Sequence, residues 1–180
     1  MKSLNELQQA LKHGASFKYL FFWGHTARKG ETVSAVCLSQ WWPASFRVAG
    51  VSYATAEHWM MAEKARLFGD QAVLPKILNA RTPAEAKKLG RQIAGFHTAR
   101  WEKRRFEIVV AGNEHKFGQN PEIKEYLKNT GERILVEASP VDRIWGIGLA
   151  ADHPNAADPL NWPGLNLLGF ALMEVRAKLD

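Results

Sequence analysis

The sequence contains a single cysteine and no long hydrophobic run. Cys37 cannot form an internal disulfide, and one cysteine cannot build a cysteine-rich zinc or iron–sulfur site, which favours a reducing compartment. No apolar segment approaches the roughly 20 residues that cross a bilayer, and the polar amino terminus lacks a signal-peptide core. These absences predict a cytoplasmic protein with no membrane-inserted segment.

The chain also lacks the residue spacings that several common chemistries need. Its six histidines show no metal-ligand spacing, and there is no Gly-x-Ser-x-Gly motif. Gly146 and Gly148 form a lone Gly-x-Gly without the third glycine of a dinucleotide fingerprint. The sequence therefore favours neither a zinc enzyme, nor a triad hydrolase, nor a Rossmann protein, and it predicts no cofactor.

Hydrophobic residues make up 46% of the 180 residues, which suits one domain of ordinary size. Extended segments are predicted at residues 19–23, 33–42, 46–53 and 134–138. Helices are predicted at residues 3–13, 55–68, 70–80, 83–91, 98–117, 121–129 and 163–179. This order predicts a single domain over residues 1–180 with a mainly helical core and a small β element.

Lysine and arginine number 24 against 18 acidic residues, and the net charge of +6 favours anionic partners without identifying one. Residues 81–105 hold eight basic and two acidic side chains, a net charge equal to that of the whole chain. This segment is a candidate phosphate-facing region. The alternative is a pair of solvated helices with ordinary charged faces.

The helix predicted over residues 55–68 carries two charged residues on an otherwise apolar stripe. Glu57 and Lys64 share a face with Met60 and Phe68. Their spacing puts them roughly 10 Å apart along the axis, too far for a direct pair but suited to flanking a sugar. Alternatively, Glu57 offsets the helix dipole and the Lys64 stem lies along apolar surface.

The helix predicted over residues 98–117 has one apolar side, which is expected to face the core, and one mixed side. The mixed side carries Trp101, Arg104, Arg105, Ile108, Gly112 and His115. An indole beside guanidinium groups is suited to stacking a base and binding phosphate. The alternative is a surface tryptophan half-buried under arginine stems.

A second acidic and aromatic segment is predicted to be a loop. Asp142 is followed by Trp145, Gly146 and Gly148, so an acid and an indole lie on a loop whose glycines allow the backbone to approach a ligand closely. The alternative is a tight turn with a buried tryptophan.

Seven blocks of the chain together resemble the NADAR family, the YbiA-like N-glycosidases. The resemblance covers about residues 17–178 in order, and the blocks are residues 21–25, 38–41, 53–65, 89–91, 116–121, 136–149 and 166–176. It implies an α+β fold that is predominantly α-helical, and an enzyme that hydrolyses N-glycosidic bonds. It also implies two substrate classes, ADP-ribose attached to guanine bases and early intermediates of riboflavin synthesis. The functional positions it implies are Glu57, Trp101, Asp142 and Trp145.

A mechanism follows from the charge that develops in such a reaction. Breaking a ribosyl C–N bond builds positive charge on the sugar, so a carboxylate beside it lowers the barrier while a second group handles the water or the leaving nitrogen. We assign Asp142 to the sugar side and Glu57 to water activation, although the two roles can be exchanged. Trp101 and Trp145 are expected to stack on the base or the sugar.

The basic and polar residues are expected to bind the rest of the substrate. Arg91, Arg104 and Arg105 are expected to bind phosphate, and Lys64 either binds phosphate or attacks an opened ribose as an amine nucleophile. Asn166, near the start of the last helix, is expected to orient a hydroxyl. The expected partner is a small nucleotide or an ADP-ribosylated nucleic acid.

A different class of function uses many of the same residues. A basic, aromatic surface also suits a module that binds ADP-ribose or single-stranded nucleic acid without cleaving it. The paired acids argue against this alternative, because carboxylates repel phosphate in a purely binding groove.

Overall fold

The structure, a computed structural model, describes residues 1–26 and 33–179. The chain forms two compact units, unit 1 (Met1–Ser39 with Glu122–Asp180) and unit 2 (Gln40–Pro121). A single functional domain over residues 1–180 stays a prediction. In the part of the chain that the structure describes, no helix is both long and apolar enough to cross a membrane.

Unit 1 is built around a pair of parallel strands. β1 (Tyr19–Phe22) pairs with β4 (Ile134–Glu137), and the register places Tyr19 opposite Ile134. Parallel strands need a long crossover between them, and here the whole of unit 2 lies between them in the sequence. The helices of this unit are α1 (Leu4–Lys12), α6 (Pro121–Asn129), which begins at the last residue of unit 2, and α7 (Leu167–Lys178).

Unit 2 begins with a short β-hairpin and continues as helices. β2 (Phe46–Val48) pairs antiparallel with β3 (Val51–Tyr53) through a two-residue turn, Ala49 and Gly50, in which both residues have positive φ. Such turns match the natural twist of a hairpin. The helices are α2 (Ala56–Phe68), α3 (Leu74–Leu78), α4 (Pro83–Gly90) and α5 (Thr98–Gln119). The predominantly helical α+β class is thereby confirmed.

Local signals placed several helix boundaries correctly. The Ser3 hydroxyl accepts from the Glu6 backbone N–H at 3.2 Å, so the predicted cap of α1 is confirmed. Thr82 caps α4 in the same way, with Pro83 as the first helical residue.

The strand predicted over residues 33–42 is wrong. Residues Ala35–Leu38 form a single turn of 3-10 helix, in which the Cys37 N–H donates to the Ser34 carbonyl at 2.9 Å. The turn buries Cys37 and Leu38 completely. Burial of the apolar side chains is therefore achieved without a partner strand, which shows how weakly β propensity constrains a short segment.

Two predicted helices are shorter than expected. The helix predicted over residues 70–80 is reduced to α3, because Asp70 Oδ1 accepts from the Ala72 and Val73 backbone N–H groups and holds a turn before it. The helix predicted over residues 163–179 is reduced to α7, because residues 164–168 donate backbone hydrogen bonds to the loop at residues 143–147.

Candidate active site

The first turn of α2 fixes the position of Glu57. The Thr55 hydroxyl caps the helix by accepting from the His58 backbone N–H at 3.4 Å. The Glu57 backbone N–H donates to the Gln40 carbonyl at 3.0 Å. The segment before β2 thus provides an acceptor for an N–H group that has no partner within the first turn of the helix. The Glu57 side chain is 3% exposed. A carboxylate that only offset the helix dipole would remain in solvent, so its burial favours a role in a site.

A buried amide pair supports the segment that contacts Glu57. Gln40 Nε2 donates to Asn113 Oδ1 at 3.0 Å, and Asn113 Nδ2 donates back to Gln40 Oε1 at 3.2 Å. Asn113 Nδ2 also donates to the Val109 carbonyl. This pair was not predicted from the sequence. Its one sequence signal is Asn113, an amide residue directly after the apolar run of α5.

His58 is a buried structural histidine next to the candidate acid. Its Nε2 donates to the Ala80 carbonyl at 3.0 Å, and its Nδ1 accepts from the Thr55 hydroxyl at 2.8 Å. Burial lowers the pKa of His58, while the Ala80 carbonyl and the Glu85 carboxylate oppose this effect. The imidazole is therefore held neutral in one tautomer, with both nitrogens engaged by unit 2 itself.

Lys64 lies among aromatic rings. Its Nζ donates to the Gly90 carbonyl at 2.8 Å, and it lies 4.4 Å from the centre of the Phe96 ring and 5.6 Å from that of Trp101. These distances are within cation–π range. The structure thus brings together two predicted site residues, Lys64 and Trp101, and adds Phe96, which sequence reasoning missed although it lies inside the basic segment.

The surroundings of Lys64 favour its neutral form. Burial lowers the pKa of the Lys64 amine, and the nearby Arg91 guanidinium lowers it further, while the Glu57 carboxylate raises it. Glu57, Lys64 and Arg91 are therefore electrostatically coupled within unit 2. A lowered pKa increases the fraction of neutral amine, which is the form that acts as a nucleophile, whereas a phosphate-binding lysine needs its charge.

Two of the predicted phosphate-binding residues pair with acids on their own helix. Arg104 lies 3.2 Å from Glu107, and Arg105 lies 3.6 Å from Glu102. The Arg104 pair is solvent-exposed, whereas the Arg105 side chain is only 11% exposed. Exposed pairs of this kind are weak and exchange readily, so Arg104 keeps its capacity to bind an anion. The phosphate role of both arginines stays a prediction.

The second half of the mixed side of α5 packs inside the protein. A Cβ at Gly112 would overlap Trp59 Cδ1 and lie 2.7 Å from its Nε1, which donates to the Ile108 carbonyl at 2.8 Å. His115 lies 5.7 Å from the Trp59 ring. The mixed side is therefore not one continuous ligand-facing surface, because α2 covers the part that follows Ile108.

In unit 1, Asp142 organises the predicted loop. Its Oδ1 accepts from the Ile144 and Trp145 backbone N–H groups, both at 2.8 Å. The Asp142 and Trp145 side chains are partly exposed. One carboxylate oxygen thus holds the turn, and a ligand role for the carboxylate of Asp142 and the indole of Trp145 stays a prediction.

The loop glycines meet a packing requirement. A Cβ at Gly146 would lie 2.8 Å from the Glu137 carbonyl oxygen, and a Cβ at Gly148 would lie 2.9 Å from Arg143 Cγ. Gly148 also has a φ of +72°, which favours glycine. These contacts explain both glycines without a ligand, and their predicted part in substrate binding is untested.

Asn166 connects the loop to the strand pair. Its Oδ1 accepts from the Glu137 N–H at 3.0 Å, its Nδ2 donates to the Leu135 carbonyl at 2.9 Å, and the residue is fully buried. These two contacts give Asn166 a structural role, because its amide holds β4 through both of its polar atoms. Its predicted bond to a substrate hydroxyl stays a prediction.

The predicted site residues form two groups, one in each unit. Unit 2 contains Glu57, Lys64, Arg91, Trp101, Arg104 and Arg105, and unit 1 contains Asp142, Trp145, Gly146, Gly148 and Asn166. Over residues 1–26 and 33–179, no group of three or more His, Cys, Asp or Glu side chains is placed to hold a metal ion. The participation of both groups in one site stays a prediction.

Comparisons with known proteins agree with this architecture. A family model described as the NADAR domain matches residues 21–180. The chain is 43% identical over 164 residues to N-glycosidase R617 of Acanthamoeba polyphaga mimivirus, covering 88% of this chain and 95% of that protein. It is 32% identical to Riboflavin biosynthesis protein VVA0006 of Vibrio vulnificus, over 79% of this chain but 35% of that longer protein.

A solved structure shares the fold. The NMR structure of the Escherichia coli protein YbiA superposes with a TM-score of 0.67, covering 91% of this chain and 87% of that one at 23% identity. At this identity the likeness concerns the fold alone. The sequence matches show that the chain is a hydrolase acting on N-glycosyl compounds and belongs to the NADAR domain family.

Proposed function

We propose that the substrate is a base joined through nitrogen to a ribose phosphate. The observation that carries this proposal is the arrangement on α2, where the buried Glu57 carboxylate and the partly desolvated Lys64 amine share one helix and Trp101 lies beside the amine. A surface that only bound phosphate would not bury a carboxylate there, because the carboxylate repels the ligand.

The two acids divide the reaction between them. Positive charge develops on the ribose as the C–N bond breaks, and the Asp142 carboxylate is proposed to stabilise it. Glu57 is proposed to accept a proton from the attacking water, since its carboxylate is buried near Lys64 and Trp101 on the same unit. Arg91, Arg104 and Arg105 are proposed to bind the phosphates.

Two substrate classes fit this chemistry. One is ADP-ribose attached to guanine bases, and the other is an early intermediate of riboflavin synthesis, which the name of the Vibrio relative supports. Incubation with each, followed by mass spectrometry for free base, ADP-ribose or ribose 5-phosphate, is expected to reveal product from one class. Tight binding of both without any product would instead support the binding module.

Removing either acid is expected to stop the reaction without unfolding the protein. Glu57→Gln and Asp142→Asn should each lower kcat by about 100-fold or more, with KM changed only a few-fold. Asp142→Asn removes the negative charge but keeps an oxygen acceptor for the Ile144 and Trp145 N–H groups. Asp142→Ala removes both the charge and the acceptor, so the two variants distinguish loss of charge from loss of loop structure. Turnover within a few-fold of wild type in both charge-removing variants would contradict the proposed mechanism.

Lys64 provides a test of the two roles open to it. We propose that Lys64 is the nucleophile, because burial lowers the pKa of its amine. The amine attacks C1′ of the opened ribose, the C–N bond to the base breaks as the base takes up a proton, and the water activated by Glu57 then hydrolyses the imine and frees the amine. Lys64→Arg should then abolish turnover although it retains the charge, and sodium borohydride should add a ribosyl mass to wild type but not to the variant. Lys103→Arg, on the exposed surface of α5, is the control. Retained activity in Lys64→Arg would instead support the phosphate role.

A further inference from the structure

Phe96 presents a large apolar surface beside the candidate nucleophile. It lies in the connection between α4 and α5 and is 44% exposed. Its ring lies 4.4 Å from Lys64 Nζ, and the same amine lies 5.6 Å from the Trp101 ring. A phenylalanine that served only as packing would be expected to bury more of its surface.

The neighbours of Phe96 extend this aromatic surface. The Phe68 ring lies 5.2 Å from that of Phe96 at an interplanar angle of 58°, and the Arg100 guanidinium lies 5.7 Å above Phe68. Aromatic rings interleaved with cations are the arrangement that proteins use to stack bases and hold the adjoining phosphates. Phe68 and Trp101 are half-buried, so Phe96 contributes the most exposed ring of the three.

The segment that carries Phe96 is held in place. Asp70 Oδ2 accepts from the Ala94 N–H at 2.8 Å, while its Oδ1 accepts from Val73 at 3.1 Å and from Ala72. The bonds from Ala94 and Val73 hold the pKa of Asp70 below its usual range. Because the connection is tied to the start of α3, a ligand that stacks on Phe96 has less chain to order, which favours binding.

We propose that Phe96 stacks against the planar base of the N-glycoside and thereby selects base-bearing ligands over the bare ribose phosphate. This inference rests on the proposed function, because it names the part of the proposed substrate that this ring receives. Base–aromatic stacking changes affinity by roughly ten-fold or more and tolerates different bases, so purine and pyrimidine substrates both fit.

The test compares two ligands that differ in the base. Isothermal titration calorimetry measures binding of guanosine 5′-monophosphate and of ribose 5-phosphate to wild type, Phe96→Leu and Phe96→Tyr. Leucine keeps an apolar cover over Lys64 but removes the ring, and tyrosine keeps the ring. Phe96→Leu is expected to weaken guanosine 5′-monophosphate binding about ten-fold and to leave the affinity for ribose 5-phosphate within two-fold of wild type. Phe96→Tyr is expected to bind both ligands with wild-type affinity, because it keeps the ring.

Each outcome decides the proposal. Equal weakening of both ligands in Phe96→Leu would make the ring a structural cover for Lys64, and no weakening, or no preference of wild type for the base-bearing ligand, would also overturn the proposal. Turnover assays with the two substrate classes are run alongside. If the wild type hydrolyses neither substrate, but Phe96→Leu still loses base-dependent binding, the proposed substrate is refuted and the role of Phe96 in base binding is retained.

Discussion

At the scale of single residues, His58 shows how burial beside a candidate site restricts protonation. The Ala80 carbonyl requires a proton on Nε2, and the Thr55 hydroxyl then donates to Nδ1. A second proton on the ring would require the Thr55 hydroxyl to turn from donor to acceptor and would place a charge within a buried region. The residue next to Glu57 therefore acts as a rigid support for the first turn of α2 and not as a proton carrier.

This environment makes the stability of the fold dependent on pH. Burial lowers the pKa of His58 in the folded chain, whereas the unfolded residue titrates near 6.5. Below that pH the unfolded chain binds a proton that the folded chain does not, so the free energy of unfolding falls until the pH passes the folded pKa. Urea unfolding between pH 7.5 and 5 should show a contribution of up to about 1.4 kcal/mol per pH unit.

A comparison of variants isolates this contribution. His58→Gln removes the titrating group and should flatten the pH dependence, although it lowers stability at neutral pH. His13→Gln, at an exposed position on unit 1, reports the effect of losing a histidine that is not buried. A pH dependence that is identical in wild type and His58→Gln would show that His58 is not its source.

At the scale of secondary-structure elements, the close packing of α2 on α5 depends on Gly112. Alanine there would force Trp59 to move, although its indole is held by the hydrogen bond to the Ile108 carbonyl. Gly112→Ala is expected to lower the free energy of unfolding by about 1–3 kcal/mol, the usual cost of overpacking, as measured by urea denaturation.

Gly118 on the same helix is the matched control. A Cβ there meets no atom within 4 Å, so Gly118→Ala should be neutral or stabilise the protein by up to about 1 kcal/mol through helix propensity. If the two variants unfold at the same urea concentration, α2 and α5 do not pack through Gly112 as described.

The elements differ in how well the sequence alone predicts them. α1, α2, α4 and α6 could be placed closely, because caps, prolines at first turns and apolar spacing are local signals. The delayed start of α7 could not, because it depends on hydrogen bonds to the distant loop at residues 143–147. The 3-10 turn Ala35–Leu38 could not either, because a short apolar run fits a buried strand or a helical turn equally well.

The same distinction applies to the site. The helical stripe identified Glu57 and Lys64, and the burial of Glu57 and lowered pKa of Lys64 fit that interpretation. The pairing of Gln40 with Asn113 and the position of Phe96 over Lys64 join residues far apart in the sequence. The hydrogen bonds of Asn166 with β4 could not be predicted either, because an amide before a helix gives no sign of a distant strand that it contacts.

At the scale of the whole molecule, the distribution of charge bears on substrate capture. The net charge is +6, and residues 81–105 carry an equal excess by themselves. A polyanionic substrate should therefore be attracted mainly to this segment of unit 2, and the attraction should weaken as salt screens it over about 10 Å at 0.1 M. KM is expected to rise with ionic strength while kcat stays nearly constant.

Two charge reversals distinguish local attraction from net charge. Lys103→Glu on α5 and Lys128→Glu on α6 are both exposed helical positions and change the net charge equally. Lys103→Glu should raise KM by roughly five-fold at low salt, corresponding to about 1 kcal/mol, and this difference should shrink at high salt. Lys128→Glu should leave KM close to wild type, because it lies outside the basic segment. Equal effects of the two reversals would mean that total charge, and not residues 81–105, attracts the substrate.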